Sequence, residues 1–596
     1  MILLKRKKLK RARFLILAVS LSLVFVYLIG RLVYLMSFQG AQLGLMALSK
    51  WTKTIDIAPK RGSIVDRNGS ELVLSVEVYR VDADPSVLKK YIEDKHLSED
   101  TVATQLSKIL GMDKNQLVKL IDRKDSNGKP AQFISLKRQV EKEAVDSMKA
   151  LKLNGILISS DKKRYYPNQN FLSQVLGHTN AAGDGISGVE LSYNDILKGM
   201  PGIKVLQTDA YNNDLPYSEA VVVDPVDGQN IKLTIYEKIQ ELAKRVAKET
   251  LEVNKAKSVS ITIMNPKNGD ILGMVNYPEY DPNDPNKAGK TDNERQEAWK
   301  NRAMSNIFEP GSIFKVITSA AALQNNSVKA TDRFVCKGTY TVPNTTITLQ
   351  CDDRVPHGIQ TFSDIIKNSC NVGFILLGEK IGKDKFYNYI STMGFGQKSG
   401  VDLPGESTGI VFNAKTSGPV EFATNSYGQG IAVTQIQYMA AFNAVANGGT
   451  WIRPHVLQQI YHTDSNDKTI VDKKYDDFGK KTVLDKDKAA QLRIYLERVV
   501  TEGTSTATII PGYHIAGKTG TARKVKATGG YEDGKYISSF TGMAPTNDPQ
   551  VTLIVTVEEP SGKYYASETA VPAARKLFVE LFPMLNIAPD SSAAAN

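Results

Sequence analysis

From Phe14 to Met36 the chain is apolar except for Arg31 and small polar residues such as Ser20 and Ser22. A run of this length spans a bilayer as a helix. A cleaved signal peptide has a shorter apolar region and an Ala-x-Ala-like exit, so the reading is an uncleaved anchor. Seven cations precede it without an acid: Lys5, Arg6, Lys7, Lys8, Lys10, Arg11 and Arg13. Such a cluster stays on the cytoplasmic side. The expected layout is a basic tail over 1–13, one transmembrane helix over 14–36, and the remainder outside the cell membrane.

The tail also carries most of the charge. Taking its seven cations from the formal net charge of +12 leaves +5 over the rest of the 596 residues. The excess is a short tail and not a face, which argues against nucleic acid as a partner. The length exceeds one domain and allows a large core. There are three cysteines, Cys336, Cys351 and Cys370. In an exported chain Cys336 could pair with Cys351, which spacing alone does not decide. Cys370 would then be left over. A catalytic cysteine needs a histidine, and none lies near Cys370 in sequence.

After the anchor the pattern is rich in strands. Pro59 to Gly69 holds an Asn68-Gly69 turn between apolar runs, a hairpin signal. Leu72 to Leu74 and Val76 to Val81 continue as strand. Short helices are expected from about Ser98 to Leu153, with Ser98 and Asp113 as N-caps and Gly111 as a stop. Arg61, Arg67 and Glu190 are either buried ion pairs or surface charges. No nucleophile and base adjoin here, so this part reads as a structural or docking domain. A helix over Ile235 to Asn254 follows, with Thr234 as its expected cap and Ile235, Ile239, Leu242 and Val246 as its apolar stripe. Strand-like runs from Ser258 to Met264 and from Asp270 to Asn276 flank the turn Asn265 to Gly269. A helix returning to an antiparallel sheet is an α+β arrangement.

The chemistry concentrates in three short pieces. In Glu309-Pro310-Gly311-Ser312-Ile313-Phe314-Lys315, Pro310-Gly311 ends what precedes it. Ile313, Val316, Ile317, Ala320 and Ala321 then repeat at helical spacing until the turn near Asn325. Residues three apart share a helix face, so Lys315 lies beside Ser312. A serine hydroxyl becomes a nucleophile when a neighbouring base takes its proton, and a desolvated lysine is such a base. Ser-x-x-Lys also begins at Ser86, Ser126, Ser159, Ser160 and Ser465, so the pair alone says little.

The second piece is Ser369-Cys370-Asn371, after an expected helix over Asp364 to Asn368. A hydroxyl and a carboxamide two apart in a tight turn point the same way, one to relay a proton and one to hold an amide. Ser192-Tyr193-Asn194 has the same form. The third piece, Lys518-Thr519-Gly520-Thr521, reads as an extended edge for a substrate backbone, with Gly520 permitting close approach. Lys518, Thr519 and Thr521 suit a carboxylate. Backbone N–H groups of Ser312 and Thr521 would together make an oxyanion hole. Gly512 to Thr519 also fits a phosphate-loop pattern. Its context is wrong: Pro511 sits where a strand should enter, Gly520 sits where a helix should start, and ATP is scarce outside the cell. Gly428-Gln429-Gly430 and Asn447-Gly448-Gly449 read as scaffold.

Taken in order, these three pieces resemble the motif set of penicillin-interacting serine enzymes. With the basic tail and anchor, Arg61-Gly62, Asp66-Arg67-Asn68-Gly69, Gly185 to Glu190 and Gly428-Gln429-Gly430, the chain resembles the class B penicillin-binding proteins over nearly its whole length. These are monofunctional peptidoglycan D,D-transpeptidases, and the likeness is to the division and sporulation type of Gram-positive bacteria.

The resemblance implies a pedestal (dimerisation-like) domain over 37–255 and a transpeptidase domain over 256–585. The latter would be an antiparallel sheet flanked by helices, followed by a disordered tail over 586–596. It implies Ser312 as nucleophile on D-Ala-D-Ala and Lys315 as general base. Ser369 and Asn371 would relay protons and position the donor, and Lys518, Thr519, Gly520 and Thr521 would bind substrate. It implies stem peptides and β-lactams as ligands, a membrane glycosyltransferase of the shape, division and sporulation class as partner, and neither a metal nor an organic cofactor. The middle residue of the second motif is Cys370, a position that varies in the family. The competing readings are a β-lactamase and a non-catalytic scaffold. A β-lactamase must activate a water for fast deacylation, which in one class of soluble serine enzymes needs a Glu-x-x-Leu-Asn-like loop after the second motif, and Glu406 lacks that context. A scaffold would tolerate loss of Ser312, Lys315 or Lys518, and all three are present.

Overall fold

The structure is a computed structural model. It describes residues 2–39, 52–124, 128, 131, 133–207, 221–352, 354–464, 466, 468–476, 478–526 and 529–590. Residues 591–596 of the expected tail lie outside the described residues. Contacts divide the chain into two units, Met1–Pro59 with Met200–Val226, and Lys60–Gly199 with Asp227–Asn596.

The first unit begins with helix α1, Ile2–Tyr34. Its backbone does not break at residue 13, because the basic tail continues the same helix. Arg13–Ser37 is apolar enough and long enough to cross a membrane, and its large side chains from Phe14 to Tyr34, and Met36, are exposed. The unit also holds an antiparallel sheet of Thr52–Ile57, Gly202–Gln207 and Val221–Val223, in that order.

In the second unit, local signals near the start hold where they are self-contained. Ser98 and Asp113 accept bonds from Thr101 N and Gln116 N, and Gly111 closes the first helix in the left-handed region. Strand Glu71–Ala83 covers both expected runs. Buried Glu190 binds two guanidinium groups, Arg61 at 2.6 Å and Arg164 at 2.5 Å. Among the described residues Arg67 takes no part in that pairing. Strands Leu457–Thr463 and Thr469–Lys474 join the same seven-stranded sheet as Ile64–Val65, Glu71–Ala83 and Asn230–Leu233. That sheet therefore draws on segments from both sides of residue 255.

Helix α2, Glu237–Asn254, starts two residues later than expected, and Thr234 does not cap it. The Thr234 hydroxyl instead donates to the carbonyl of Ile271 at 2.8 Å. The open N–H of Glu237 is taken by buried Asp66 at 3.2 Å, so the cap comes from 171 residues upstream. Both expected strands follow, β1 at Ser258–Met264 and β2 at Ile271–Tyr277, with Gly269 left-handed in the turn.

Two helices follow the Ser312 region, α3 at Lys315–Gln324 and α4 at Phe362–Lys367, and α5 at Asn371–Ile381 comes next. Farther on lie α6 at Gln435–Ala446 and α7 at Lys486–Thr501. Strands β3, β4 and β5 are Ala516–Val525, Tyr531–Ala544 and Val551–Glu558, and α8 is Ala570–Met584. The sheet order is β2-β1-β5-β4-β3, all antiparallel, with β3 on the edge. Side chains alternate across β1. Val259, Ile261 and Ile263 pack with Leu242 and Val246 of α2 and with Phe578 of α8. On the other face Thr262 donates to Gln435 of α6 at 2.7 Å. The sheet is thus covered by helices on both faces, and the edge strand β3 is left to meet the segment that carries Ser312.

Candidate active site

Ser312 lies in a single 3-10 turn, Gly311–Phe314, and not in an α-helix. The turn runs straight into α3 at Lys315. In a 3-10 turn side chains three apart eclipse, which stacks Lys315 under Ser312 more closely than an α-turn would. The turn is fixed from behind. Gly311 is left-handed with φ of 54°, and its N–H donates to Gly428 O at 2.9 Å. A Cβ on Gly428 would sit 2.1 Å from Gly311 O, so only glycine fits there. Glu309 accepts from Gly430 N at 2.9 Å and from the Tyr531 hydroxyl at 3.1 Å. The Gly428 to Gly430 segment is scaffold as expected, but Gln429 also lines the cleft.

The second motif is a joint between two helices. Thr361 and Asp364 cap α4 reciprocally, and Cys370 is the N-cap of α5. Between them Ser369 adopts φ of 54°, uncommon for a residue with a Cβ. That backbone turn aims both its carbonyl and its hydroxyl at Lys315.

Lys315 Nζ is surrounded by oxygen. It lies 2.7 Å from Ser369 O, 2.6 Å from Asn371 Oδ1, 3.0 Å from Ser312 Oγ and 3.1 Å from Ser369 Oγ. The Asn371 amide is oriented by its other end, which donates to Gln350 O at 3.1 Å and Asp352 Oδ1 at 3.2 Å. The carbonyl of Ser369 and the amide oxygen of Asn371 can only accept. When Lys315 is neutral they take its two N–H bonds, and the lone pair is left to the hydroxyls. Burial pushes Lys315 down to about 8, against the pull of Asp352. The group is therefore poised as a base near neutral pH.

Lys518 comes from β3 and is fully buried. Its Nζ donates to Ser369 Oγ at 2.9 Å and to Thr519 O at 3.0 Å. Burial, and then the charge of Lys315, push it well below the ordinary lysine range. It lies under the cleft and not on its wall. Thr519, Gly520 and Thr521 do line the cleft, whose volume is about 510 Å³. The Thr519 hydroxyl is 2.9 Å from that of Thr504, and Thr521 Oγ1 accepts from Ala566 N at 3.2 Å.

Gly520 also makes a close contact inside the protein. A Cβ there would lie 2.8 Å from Pro310 O and 2.8 Å from Ser539 Oγ. The close approach is between β3 and the turn of Ser312, within the protein itself. The N–H groups of Ser312 and Thr521 lie on these two facing segments.

Several cleft residues carry no local sequence signal. Tyr536, Tyr564 and Tyr565 form an aromatic wall, with Tyr536 and Tyr564 stacked at 4.1 Å. Arg354, Arg523, Thr504 and Asp352 also reach it. The three cysteines are free thiols, with 3.7 Å between Cys336 Sγ and Cys351 Sγ.

Residues 259–579 match the family described as the penicillin binding protein transpeptidase domain, and residues 56–233 match the penicillin-binding protein dimerisation domain. The stage V sporulation protein D of Bacillus subtilis (strain 168) is 36% identical over 569 residues, covering 95% of this chain and 85% of that protein. The peptidoglycan D,D-transpeptidase FtsI of Escherichia coli (strain K12) is 29% identical over 588 residues, covering 97% and 93%. Penicillin binding protein 2X from Streptococcus thermophilus superposes with a TM-score of 0.67 at 25% identity, over 91% of this chain and 82% of that one. With a family match over more than half its length and a relative of that identity, the chain belongs to the class B penicillin-binding proteins.

Proposed function

We propose that this chain is a peptidoglycan D,D-transpeptidase working through a Ser312 acyl-enzyme. The observation that carries it is Lys315 Nζ, buried and 3.0 Å from Ser312 Oγ, with its N–H partners already assigned. Ser312 Oγ attacks the carbonyl between the two D-Ala residues of a stem peptide, and its proton passes to Lys315. The N–H groups of Ser312 and Thr521 hold the oxyanion. Collapse breaks the C–N bond, and the leaving amine takes a proton through Ser369, whose hydroxyl both lysines touch. The terminal carboxylate rests on Thr519 and Thr521, with the Lys518 amine beneath it. An amine of a second stem peptide then attacks the ester, forms the cross-link and returns the proton to Ser312. A β-lactam follows the same first step, but its cleaved ring stays attached, so the ester persists.

The remaining assignments rest on the resemblance and on the apolar helix. The N-terminus faces the cytoplasm and the catalytic part lies outside. Residues 37–255 dock a membrane glycosyltransferase, and residues 256–585 catalyse.

The test is a time course with a fluorescent penicillin on the full chain in detergent, with Ser312→Ala alongside. A label confined to the unsubstituted chain and stable for many minutes is expected. A label that clears within seconds points to a β-lactamase, and equal labelling of the variant overturns the assignment.

A further inference from the structure

Four soft donors meet at one wall of the cleft. Cys336 Sγ, Cys351 Sγ, Cys370 Sγ and a ring nitrogen of His357 all lie within 4.8 Å of one another. The three thiols are buried and His357 is half-buried. Cys336 Sγ is 3.7 Å from Cys351 Sγ, Cys351 Sγ is 3.8 Å from Cys370 Sγ, and Cys336 Sγ is 3.5 Å from His357 Nδ1. A tetrahedral zinc with Zn–S near 2.3 Å and Zn–N near 2.0–2.1 Å has S···S edges of about 3.8 Å and S···N edges of about 3.5 Å. These three spacings match such edges, and the other three pairs lie within 4.8 Å.

The fold brings the donors together from separate segments. Cys336 ends strand Arg333–Cys336, which pairs with Gly358–Thr361 so that Cys336 faces Gly358 and stands beside His357. Cys351 follows strand Thr348–Gln350, and Cys370 caps α5. Gly338 N and Gly373 N donate to Cys336 Sγ and Cys370 Sγ at 3.4 and 3.2 Å. Such N–H donors around sulfur are the usual outer layer of a thiolate site. One disulfide would use two thiols and leave a third buried and unpaired. A four-donor site uses all three and the imidazole.

We propose that Cys336, Cys351, His357 and Cys370 form a structural zinc site beside the active site. Four protein donors leave no open position, so the metal supplies rigidity and not a reactive water. Its ligands adjoin the catalytic residues in sequence. Cys370 stands between Ser369 and Asn371. Cys351 stands between Gln350 and Asp352, the two residues that take the Asn371 N–H bonds. Zinc would thus hold both sides of the Asn371 amide and the left-handed joint at Ser369.

The test is metal analysis of the full chain in detergent, purified without added metal and with thiols kept reduced. One zinc per chain is expected, retained through dialysis. Alkylation should spare the three cysteines until a strong chelator is added, after which all three react. Cobalt(II) loaded after chelation should give the absorption of a tetrahedral thiolate site. Cys336→Ser and His357→Ala should each bind well below one zinc per chain, and zinc should raise the Tm of the unsubstituted chain only. If the variants fail to fold, metal content and alkylation of the unsubstituted chain still decide. A zinc-free chain whose thiols all react at once overturns the proposal. So does a Cys336–Cys351 disulfide in protein taken from its own membrane.

Discussion

Lys315 and Lys518 share one oxygen: Ser369 Oγ lies 3.1 Å from the first Nζ and 2.9 Å from the second. Two ammonium groups that close, both buried, repel strongly. Protons therefore leave the pair in two steps that belong to the pair. Lys315 sits at about 8 and Lys518 well below its ordinary value. Only a neutral amine can take the proton of Ser312. Near pH 7 about a tenth of Lys315 is neutral, and the fraction rises with pH. The acylation rate by a β-lactam should climb roughly tenfold from pH 7 to a plateau above the Lys315 value. Stopped-flow acylation across this range checks it, and a flat profile would remove Lys315 as the base.

Lys315→Arg keeps a cation but gives up the base, because a guanidinium does not deprotonate in this range. Acylation should fall by about 10²–10⁴-fold. Reversible binding of the ligand before acylation should change far less, because Lys315 lies beneath Ser312 and not on the cleft wall. Separate determination of the binding constant and the acylation constant distinguishes the two effects. Equal losses in both would mean that Lys315 acts by shaping the cleft.

Parts of this arrangement were legible because they are local. Phe14 to Met36 is readable from length alone. Ser98, Asp113 and Gly111 act within one turn of their own residues. The three motifs were legible as chemistry, since a serine and lysine three apart face one side in either kind of helix. Other features depend on partners distant in sequence. Asp66 caps α2 from 171 residues away, which no pattern around Thr234 discloses. The contact of Gly520 with Pro310 and Ser539 is likewise invisible in the sequence around it. Lys518 matches its motif, yet only the fold shows that its amine reaches Ser369 from below. Asp352 and Tyr564 carry no spacing signal because tertiary packing alone brings them to the cleft. No histidine adjoins Cys370 in sequence, because His357 lies 13 residues earlier and joins its cluster across a strand pair.

Glu190 is fully buried between Arg61 and Arg164, whose side chains are 7% and 4% exposed. Removing the shared carboxylate leaves two buried cations without a counter-charge. Glu190→Ala should therefore destabilise the second unit by about 3–5 kcal/mol. Replacing all three with apolar residues of similar volume should cost less than the single change, since the desolvation of the charges is then avoided. Denaturant unfolding of both variants orders them. A single variant as stable as the unsubstituted chain would mean that water reaches the arginines.

Gly520→Ala tests the contact between β3 and the turn that carries Ser312. The new Cβ would lie 2.8 Å from Pro310 O, 2.8 Å from Ser539 Oγ and 3.1 Å from Ile313 Cγ2. Two of these are closer than Cβ atoms tolerate, and Pro310 O is backbone, so it cannot swing aside. The strand and the turn must separate by a few tenths of an ångström or more. That separation falls between the N–H groups of Thr521 and Ser312. Reacting groups displaced by about 1 Å lose roughly 10²-fold in rate. The acylation rate should fall by up to that factor while Lys315 keeps its bonds to Ser369 and Asn371, which lie away from the new methyl. The pH dependence of the residual rate should then be unchanged. If the rate falls and the pH limb moves as well, the strand also sets the lysine environment, and the two effects belong to one contact.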